Sequence, residues 1–252
     1  MLNQFSRTEL LLGKEAMEIL NKAHIAVFGV GGVGGYTVEA LIRSGIQHID
    51  IIDNDTVSLT NLNRQIIATH STIGKYKVDV MKERILDINP SAEVNVHKCF
   101  YLPETRDLFD FTKYDYVVDA VDTVTAKINL ILQAKEAGTK IICSMGAGNK
   151  MDPTQFQVAD ISQTTLCPLA RVMRQECKKR KIKNVKVVFS TEKVLRPIEA
   201  IQPEKSSADN RSTVRRDIPG STAFVPSVAG LIIASEIIKD LTGEATARAR
   251  SL

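Results

Sequence analysis

Short apolar runs alternate with segments of helical periodicity along the first 150 residues. The run 24–28 predicts a buried strand, the segment 36–44 a helix that ends at Gly45, and the run 49–53 a second strand. In such a βαβ unit the strands are parallel and the crossover is right-handed. The pattern therefore predicts that the chain begins a layered sheet with helices on its faces.

The alternation continues beyond this unit. Further predicted elements are a helix over 75–88, strands over 93–99 and 114–120, a helix over 125–137 and a strand over 140–144. Strands that alternate with helices are typical of a parallel sheet. The predicted fold class is therefore α/β, with a Rossmann-like, doubly wound, mainly parallel sheet.

The two ends of the chain are less regular. A first helix is predicted over 7–21, and a last helix over 227–241 is predicted to end at Gly243. The predicted apolar face of the last helix consists of Val228, Leu231, Ile232, Ile238 and Leu241.

The second half of the sequence predicts an elaboration of the first rather than an independent domain. It contains a basic helix from about residue 168 to 181, a strand over 185–190 and a polar stretch, about 199–213, with the composition of a mobile loop. We therefore predict a core over 1–150 and a carboxy-terminal elaboration of the same domain over 151–252.

Composition excludes several classes of protein. The 252 residues are 44% hydrophobic and 25% charged, which excludes general disorder and fits a domain with a sizeable core. There is neither an apolar run of about 20 residues nor a signal-peptide core, so we predict a cytoplasmic protein without a membrane span. Cys99, Cys143, Cys167 and Cys177 form no C-x-x-C pair, and we expect no structural zinc.

Positive charge is concentrated in one segment, although the net charge is only +4. Between residues 169 and 197 there are ten Lys or Arg residues but only two Glu residues. Such a cluster is typical both of a surface that binds a phosphate-rich partner and of a solvated helix face, and charge alone leaves both interpretations open.

A glycine-rich loop follows the first predicted strand and opens the first helix of the sheet. Residues 29–35 contain the G-x-G-x-x-G pattern of Gly29, Gly31 and Gly34, with Gly32 inside it, and this pattern predicts a phosphate-binding turn. Asp53 ends the next strand, where a carboxylate would accept hydrogen bonds from ribose hydroxyls. These two features fit a dehydrogenase as well as an ATP-using enzyme.

The segment after Asp53 favours the ATP-using enzyme because a dehydrogenase has no use for so many polar side chains. Arg64 and Lys77 are cations suited to a triphosphate. Asp55, Asn61 and Gln65 accompany them and complete the predicted nucleotide site.

The motifs Asp53-x-Asp55, Asn61-Leu62-Asn63-Arg64-Gln65, Gly74-x-x-Lys77 and Asp119-Ala120-Val121-Asp122 resemble the adenylating fold of ThiF, MoeB and the ubiquitin-activating enzymes. The resemblance implies that ATP is bound at Gly31, Asp53, Asn61, Arg64 and Lys77, and that Asp122 holds magnesium. It also implies a homodimer in which Arg7 of one subunit reaches the phosphates in the other.

The second half resembles one branch of this family, the tRNA threonylcarbamoyladenosine dehydratases. The similar segments cover residues 168–174, 189–193 and 220–226. This resemblance implies ATP-dependent cyclisation of a threonylcarbamoyl group on tRNA, beside the anticodon, through an acyl-adenylate. The implied tRNA contacts are Arg171, Arg174, Lys178, Lys179 and Lys181.

Two other functions remain open at the level of sequence. One is adenylation of a ubiquitin-like sulfur carrier at its carboxyl terminus, and the other is an NAD-binding oxidoreductase or regulator. The sequence also leaves open whether a sulfur-relay protein assists and whether Cys167 is an acyl acceptor or a structural thiol.

Overall fold

Seven strands and seven α-helices form the protein in the computed structural model, which describes residues 2–198 and 219–251. In chain order they are α1 (Ser6–Leu12), α2 (Lys14–Lys22), β1 (His24–Phe28), α3 (Gly34–Arg43), β2 (His48–Ile52), α4 (Lys77–Ile88), β3 (Glu93–His97), β4 (Tyr116–Asp119), α5 (Val124–Ala137), β5 (Lys140–Ser144), β6 (Phe156–Asp160), α6 (Pro168–Lys179), β7 (Lys186–Ser190) and α7 (Phe224–Arg250).

All seven strands belong to one sheet, in the order β3-β2-β1-β4-β5-β7-β6. Six strands are parallel, and β6 pairs antiparallel with β7. The chain moves outward in one direction from β1 to β3 and in the other direction from β4 onward. This reversal opens a crevice at the carboxyl ends of β1 and β4, where doubly wound folds bind their ligands.

An apolar core covers each face of the sheet, because a strand buried on both sides presents apolar residues in both directions. Helices α2, α3, α4 and α7 pack on one face, where Leu20, Val38, Met81 and Ile233 are buried. Helices α5 and α6 pack on the other. The predicted fold class is confirmed, and β1 and β5 have the predicted bounds.

The predicted first helix over 7–21 is wrong in one respect, since the structure has two helices there. Gly13 separates α1 from α2 with φ 87°, a left-handed conformation that glycine adopts without steric cost. The apolar residues of both helices follow a helical spacing, so the sequence pattern does not reveal the break at Gly13.

The predicted last helix is too short, and its predicted apolar face is confirmed only in part, since Ile232, Ile238 and Leu241 pack against the core. Helix α7 continues through Gly243 to Arg250, and its buried side consists mainly of Val225, Ala229, Ile233, Ala234 and Ile237. Leu231, predicted to be buried, is 46% exposed. Contacts with the amino terminus extend the helix, since Arg248 forms an ion pair with Glu15 and Thr246 donates to the Leu12 carbonyl.

The strand β6 was not predicted from the sequence. It is a half-buried edge strand of mixed polar and apolar residues, and its pairing with β7 defines it. Strands β6 and β7 extend the sheet of the first half, and the boundary at residue 150 stays a prediction. The predicted mobile loop over 199–213 lies outside the described residues. In the described ranges, no helix has the length and apolar character needed to cross a membrane.

Candidate active site

A cleft of about 680 Å³ opens at the carboxyl ends of β1, β2 and β4. Its volume is in the range of small-molecule sites, and its position is the crevice that the strand order creates. Predicted site residues that line it are Gly29, Gly31, Gly32, Asp53, Asp55, Asn61, Arg64, Gln65, Lys77 and Asp122. The fold thus brings together residues that are up to 93 positions apart in the chain.

The glycine loop is packed so tightly that side chains are excluded from two of its positions. Gly29 has φ 92°, and a Cβ there would lie 2.6 Å from the Ala120 carbonyl oxygen. A Cβ on Gly34 would lie 1.8 Å from the Gly29 carbonyl oxygen. Gly34 therefore packs the start of α3 against the loop, while Gly31 and Gly32 face the cleft. Free amides and the helix dipole at this end of α3 favour an anion.

Asp53 connects the end of β2 to the glycine loop. One carboxylate oxygen accepts from the Val30 amide at 2.7 Å, and the other accepts from the Asp55 amide at 2.9 Å. Lys77, the first residue of α4, is 6% exposed, and its Nζ lies 2.6 Å from an Asp55 oxygen and 3.9 Å from Asp53. The two carboxylates therefore hold a buried ammonium at the edge of the cleft.

The segment 59–65 places three polar side chains along the opposite wall. Arg64 donates to the Thr60 carbonyl oxygen and to Asn63 Oδ1, and burial lowers the pKa of its guanidinium because the charged form loses hydration. Asn61 Oδ1 accepts from the Ser58 amide at 3.1 Å and so fixes the turn. Gln65 is 7% exposed, and its Oε1 has no hydrogen-bond partner among the described residues. The wall therefore has a cation and an open acceptor for a bound ligand.

Asp122 presents an exposed carboxylate to the cleft just before the start of α5. Within residues 2–198 and 219–251, no three or more His, Cys, Asp or Glu side chains are grouped to hold a metal. Magnesium commonly binds through one or two carboxylates together with substrate phosphates. A single carboxylate beside a phosphate-binding loop fits such an ion arriving with the nucleotide.

Arg7 is exposed on α1 and does not belong to the described residues that line the cleft. The structure of a single chain therefore leaves this predicted site residue apart from the others.

The five predicted tRNA contacts, which lie on α6 and in the turn after it, divide into two groups. Arg174 donates to the Thr164 carbonyl oxygen at 2.6 Å, and Lys179 lies 2.7 Å from a Glu176 oxygen. Arg171, Lys178 and Lys181 are exposed, with no ion-pair partner in the part of the chain described. Only the second group is available to an external anion without loss of an internal contact.

Helix α6 begins beside the cleft. A Cβ on Gly146 would lie 3.7 Å from both Cys167 Sγ and Leu169 Cβ, and the next residues, Ala147 and Gly148, line the cleft. The amino-terminal end of α6 therefore lies next to one wall of the cleft.

The four cysteines are free thiols, and all but Cys99 are buried. Burial raises the pKa of Cys99, Cys143 and Cys177, which keeps these thiols protonated and weakly nucleophilic. Cys167 is buried at the start of α6, and its chemical role stays an open question.

Sequence reasoning missed part of the cleft wall. Residues 99–102, after β3, line one side, while Pro219, Ser221 and Pro226 line another. The first group had a signal, since loops after parallel strands meet at the same edge of the sheet. Ser221 and Pro226 lie in the segment 220–226, which resembles the dehydratase branch, but no local pattern indicates that this segment reaches the cleft. Only the folded chain brings it to Asn63, whose Nδ2 donates to the Ser221 carbonyl oxygen at 2.9 Å.

A glycine loop, a carboxylate after β2 and convergent cations at the switch point of a doubly wound sheet define a nucleotide-binding protein of the Rossmann type.

The model of the ThiF family matches residues 5–251, and the chain belongs to this family. It is 47% identical over 242 residues to a tRNA threonylcarbamoyladenosine dehydratase of Bacillus subtilis, covering 96% of this chain and 95% of the relative. The fold is similar to the crystal structure of Escherichia coli tRNA N6-threonylcarbamoyladenosine dehydratase in complex with ATP, with a TM-score of 0.84 and 35% identity. That alignment covers 96% of this chain and 95% of the other. The same enzyme in complex with AMP gives the same TM-score, identity and coverage.

Proposed function

We propose that this protein is a tRNA threonylcarbamoyladenosine dehydratase, which uses ATP to cyclise the threonylcarbamoyl group on the adenosine beside the tRNA anticodon. The observation that carries the proposal is the 47% identity to a dehydratase along nearly the whole of both chains. The cleft supports it, because its donors and cations suit a nucleoside triphosphate. A tRNA substrate supports the cytoplasmic location that the sequence predicts.

The reaction has two steps. The threonyl carboxylate attacks the α-phosphorus of ATP, an oxygen–phosphorus bond forms, and pyrophosphate leaves. A nitrogen of the same modified nucleotide then attacks the activated carbonyl, loses its proton and expels AMP, so that the tRNA loses one water overall. Because ring closure is intramolecular, effective concentration supplies much of its rate.

Each part of the cleft has a role in the first step. Amides of the glycine loop bind phosphate oxygens, and Asp53 accepts from the ribose. Arg64 and Lys77 stabilise the charge that develops on the departing pyrophosphate. Asp122 would hold magnesium, which would supply further charge neutralisation on the phosphates. Lys77 must exchange part of its contact with Asp55 for a phosphate oxygen.

Mass spectrometry of nucleosides tests the proposal. Incubation of threonylcarbamoyl-modified tRNA with the protein, ATP and magnesium is expected to give a nucleoside lighter by one water. Unchanged tRNA together with adenylation of a ubiquitin-like carrier would contradict the dehydratase function and leave only the adenylating chemistry. Binding of NAD but not ATP in a titration would contradict both. Repeating the assay with a sulfur-relay protein tests whether such a partner raises the rate.

The exposed position of Arg7 supports a homodimer in which this residue completes the site of the partner subunit. Arg7→Ala and Lys77→Ala are each expected to be inactive. When they are mixed, half of the dimers become hybrids with one intact site, so activity should recover to about a quarter of the wild-type value. The rate of pyrophosphate release after mixing measures this recovery.

Two controls accompany this complementation. Subunit exchange is established with differently tagged chains, and Arg7→Ala mixed with itself should stay inactive. Absence of recovery despite exchange would indicate that Arg7 acts within its own subunit or not at all.

The unpaired cations of the basic segment are expected to bind tRNA mainly through phosphates. Changing Arg171, Lys178 and Lys181 together to Ala should lessen the slope of log affinity against log salt by roughly 2 to 3 units, at about 0.7 to 0.9 for each lost contact. Filter binding of tRNA at several salt concentrations measures the slope.

A matched variant removes the same charge elsewhere. Lys14, Lys22 and Arg250 lie outside this segment, and they too are exposed and have no ion-pair partner in the described part of the chain. Their joint change to Ala should leave the slope nearly unchanged. Lys179→Ala alone should have a smaller effect than Lys178→Ala because Lys179 is already paired with Glu176. Equal slopes for the two triple variants would indicate that the basic segment is a solvated face and does not bind tRNA phosphates.

A further inference from the structure

A fully buried ion pair lies beneath the cleft, outside the set of side chains that we assign to the nucleotide. Lys127 Nζ lies 3.0 Å from Asp119 Oδ1, and both side chains are 0% exposed. Lys127 also donates to the Ser144 carbonyl oxygen at 2.6 Å. One ammonium group thus joins the carboxyl ends of β4 and β5 to the beginning of α5.

This pair is an unexpected way to fill a core. Taking two charges out of water costs more than their attraction regains in many proteins, and apolar replacements of similar volume are often neutral or stabilising. Asp119 Oδ2 has no hydrogen-bond partner among the described residues, and burial raises the pKa of this carboxyl despite the nearby ammonium. Stability alone therefore does not account for the pair.

The pair fixes the turn that carries Asp122. Asp119 Oδ1 also accepts from the Val121 amide at 3.3 Å, while the Ala120 amide donates to the Phe28 carbonyl oxygen at 2.8 Å. The turn is in contact with the glycine loop, since Ala120 is the residue that a Cβ on Gly29 would strike. The residues from Ala120 to Thr123 all line the cleft. A shift of Asp119 would therefore move both Asp122 and the contact with the phosphate-binding loop.

We propose that Asp119 and Lys127 are positioning residues, which hold the turn and its Asp122 carboxylate in a fixed place relative to the glycine loop, where that carboxylate would hold magnesium beside bound ATP. The proposal rests on the proposed role of Asp122 in holding magnesium. Neither member of the pair is among the described residues that line the cleft, and both side chains are fully buried.

A variant in which both members of the pair are uncharged separates the positioning role from any contribution to folding stability. Lys127→Met alone leaves a buried, unpaired carboxylate and is expected to destabilise the fold. The double variant Asp119→Asn with Lys127→Met removes both charges at similar volume and should melt near the wild-type temperature. Lys127→Arg keeps the charge, and its melting temperature should lie between those of Lys127→Met and the wild type.

The readout is the affinity for ATP with and without magnesium chloride, measured by calorimetry, which requires no tRNA. In the wild type, magnesium should tighten ATP binding. The double variant should keep its magnesium-free affinity and lose most of the tightening, as Asp122→Ala should, while Lys127→Arg retains part of it. Since displacement of a group by about 1 Å can cost on the order of 100-fold in rate, pyrophosphate release by the double variant should fall by about 10- to 100-fold.

Each outcome decides a specific claim. If the folded double variant keeps the wild-type response to magnesium while Asp122→Ala loses it, the positioning role is wrong and the metal role of Asp122 stands. If Asp122→Ala also keeps the response, the metal assignment is wrong and this inference is overturned with it. Failure to dehydrate tRNA with a normal response to magnesium would contradict the dehydratase function alone.

Discussion

Asp122→Ala is expected to abolish dehydration of threonylcarbamoyl-modified tRNA while leaving tRNA binding nearly intact. Asp122 is the one carboxylate that the described residues place in the cleft lining on the α5 side, so its loss removes the side chain that would hold magnesium there. The barrier to pyrophosphate departure should rise by several kcal/mol, about 3 to 5, which corresponds to a rate loss of roughly 100- to 5000-fold. The rate of pyrophosphate release and the mass of the nucleoside product measure the loss.

The matched control is Asp107→Ala, which removes an equally charged carboxylate that is 98% exposed and outside the described lining of the cleft. It should leave the rate unchanged. The basic surface is untouched in both variants, so tRNA affinity should agree with the wild type within about twofold. A normal rate of pyrophosphate release by Asp122→Ala would show that this residue has no role in the reaction.

Gly34→Ala is expected to destroy ATP binding. The new Cβ would lie 1.8 Å from the Gly29 carbonyl oxygen and 3.3 Å from Ala120 Cβ, and the first of these contacts is with backbone. The glycine loop must therefore move away from α3, which costs at least about 2 to 3 kcal/mol of folding stability and disturbs the amides proposed to bind phosphate. Thermal unfolding and calorimetric titration with ATP measure the two effects.

Gly243→Ala is the control for the effect that a glycine-to-alanine change has at a position without close contacts. Gly243 lies inside α7, nothing is within 4 Å of the position of its Cβ, and the change should raise the stability by about 0.5 to 1 kcal/mol without altering ATP affinity. Normal ATP binding by Gly34→Ala would contradict the close packing of the loop against α3.

Much of the cleft was predictable because its chemistry depends on residue types at fixed distances from strand ends. The glycine pattern follows β1, and Asp53 directly follows β2, so a parallel sheet brings both to one edge. Arg64 and Lys77 were predicted from their charge beside these elements. Their pairing with Asn63 and Asp55 was not, because a sequence does not specify which neighbours a side chain contacts in the absence of ligand.

Lys127 illustrates what a sequence indicates but does not resolve. It lies between Ala126 and Ile128 in α5 and, at helical spacing, beside Leu130 and Ile131, all of which are buried. A lysine on an apolar face requires a partner, since burial of an unpaired charge is very costly. That the partner is Asp119 depends on the approach of α5 to the end of β4.

The sequence by itself determined the alternating βα order, the α/β fold class and the residue types of the nucleotide site, because periodicity and loop chemistry are local properties. Only the tertiary structure decided the break at Gly13, the length and buried face of α7, the edge strand β6 and the division of the basic residues into paired and unpaired groups. Each of these depends on contacts between segments far apart in the chain. Their free energy comes from packing and pairing across the fold, and local propensity does not contain it.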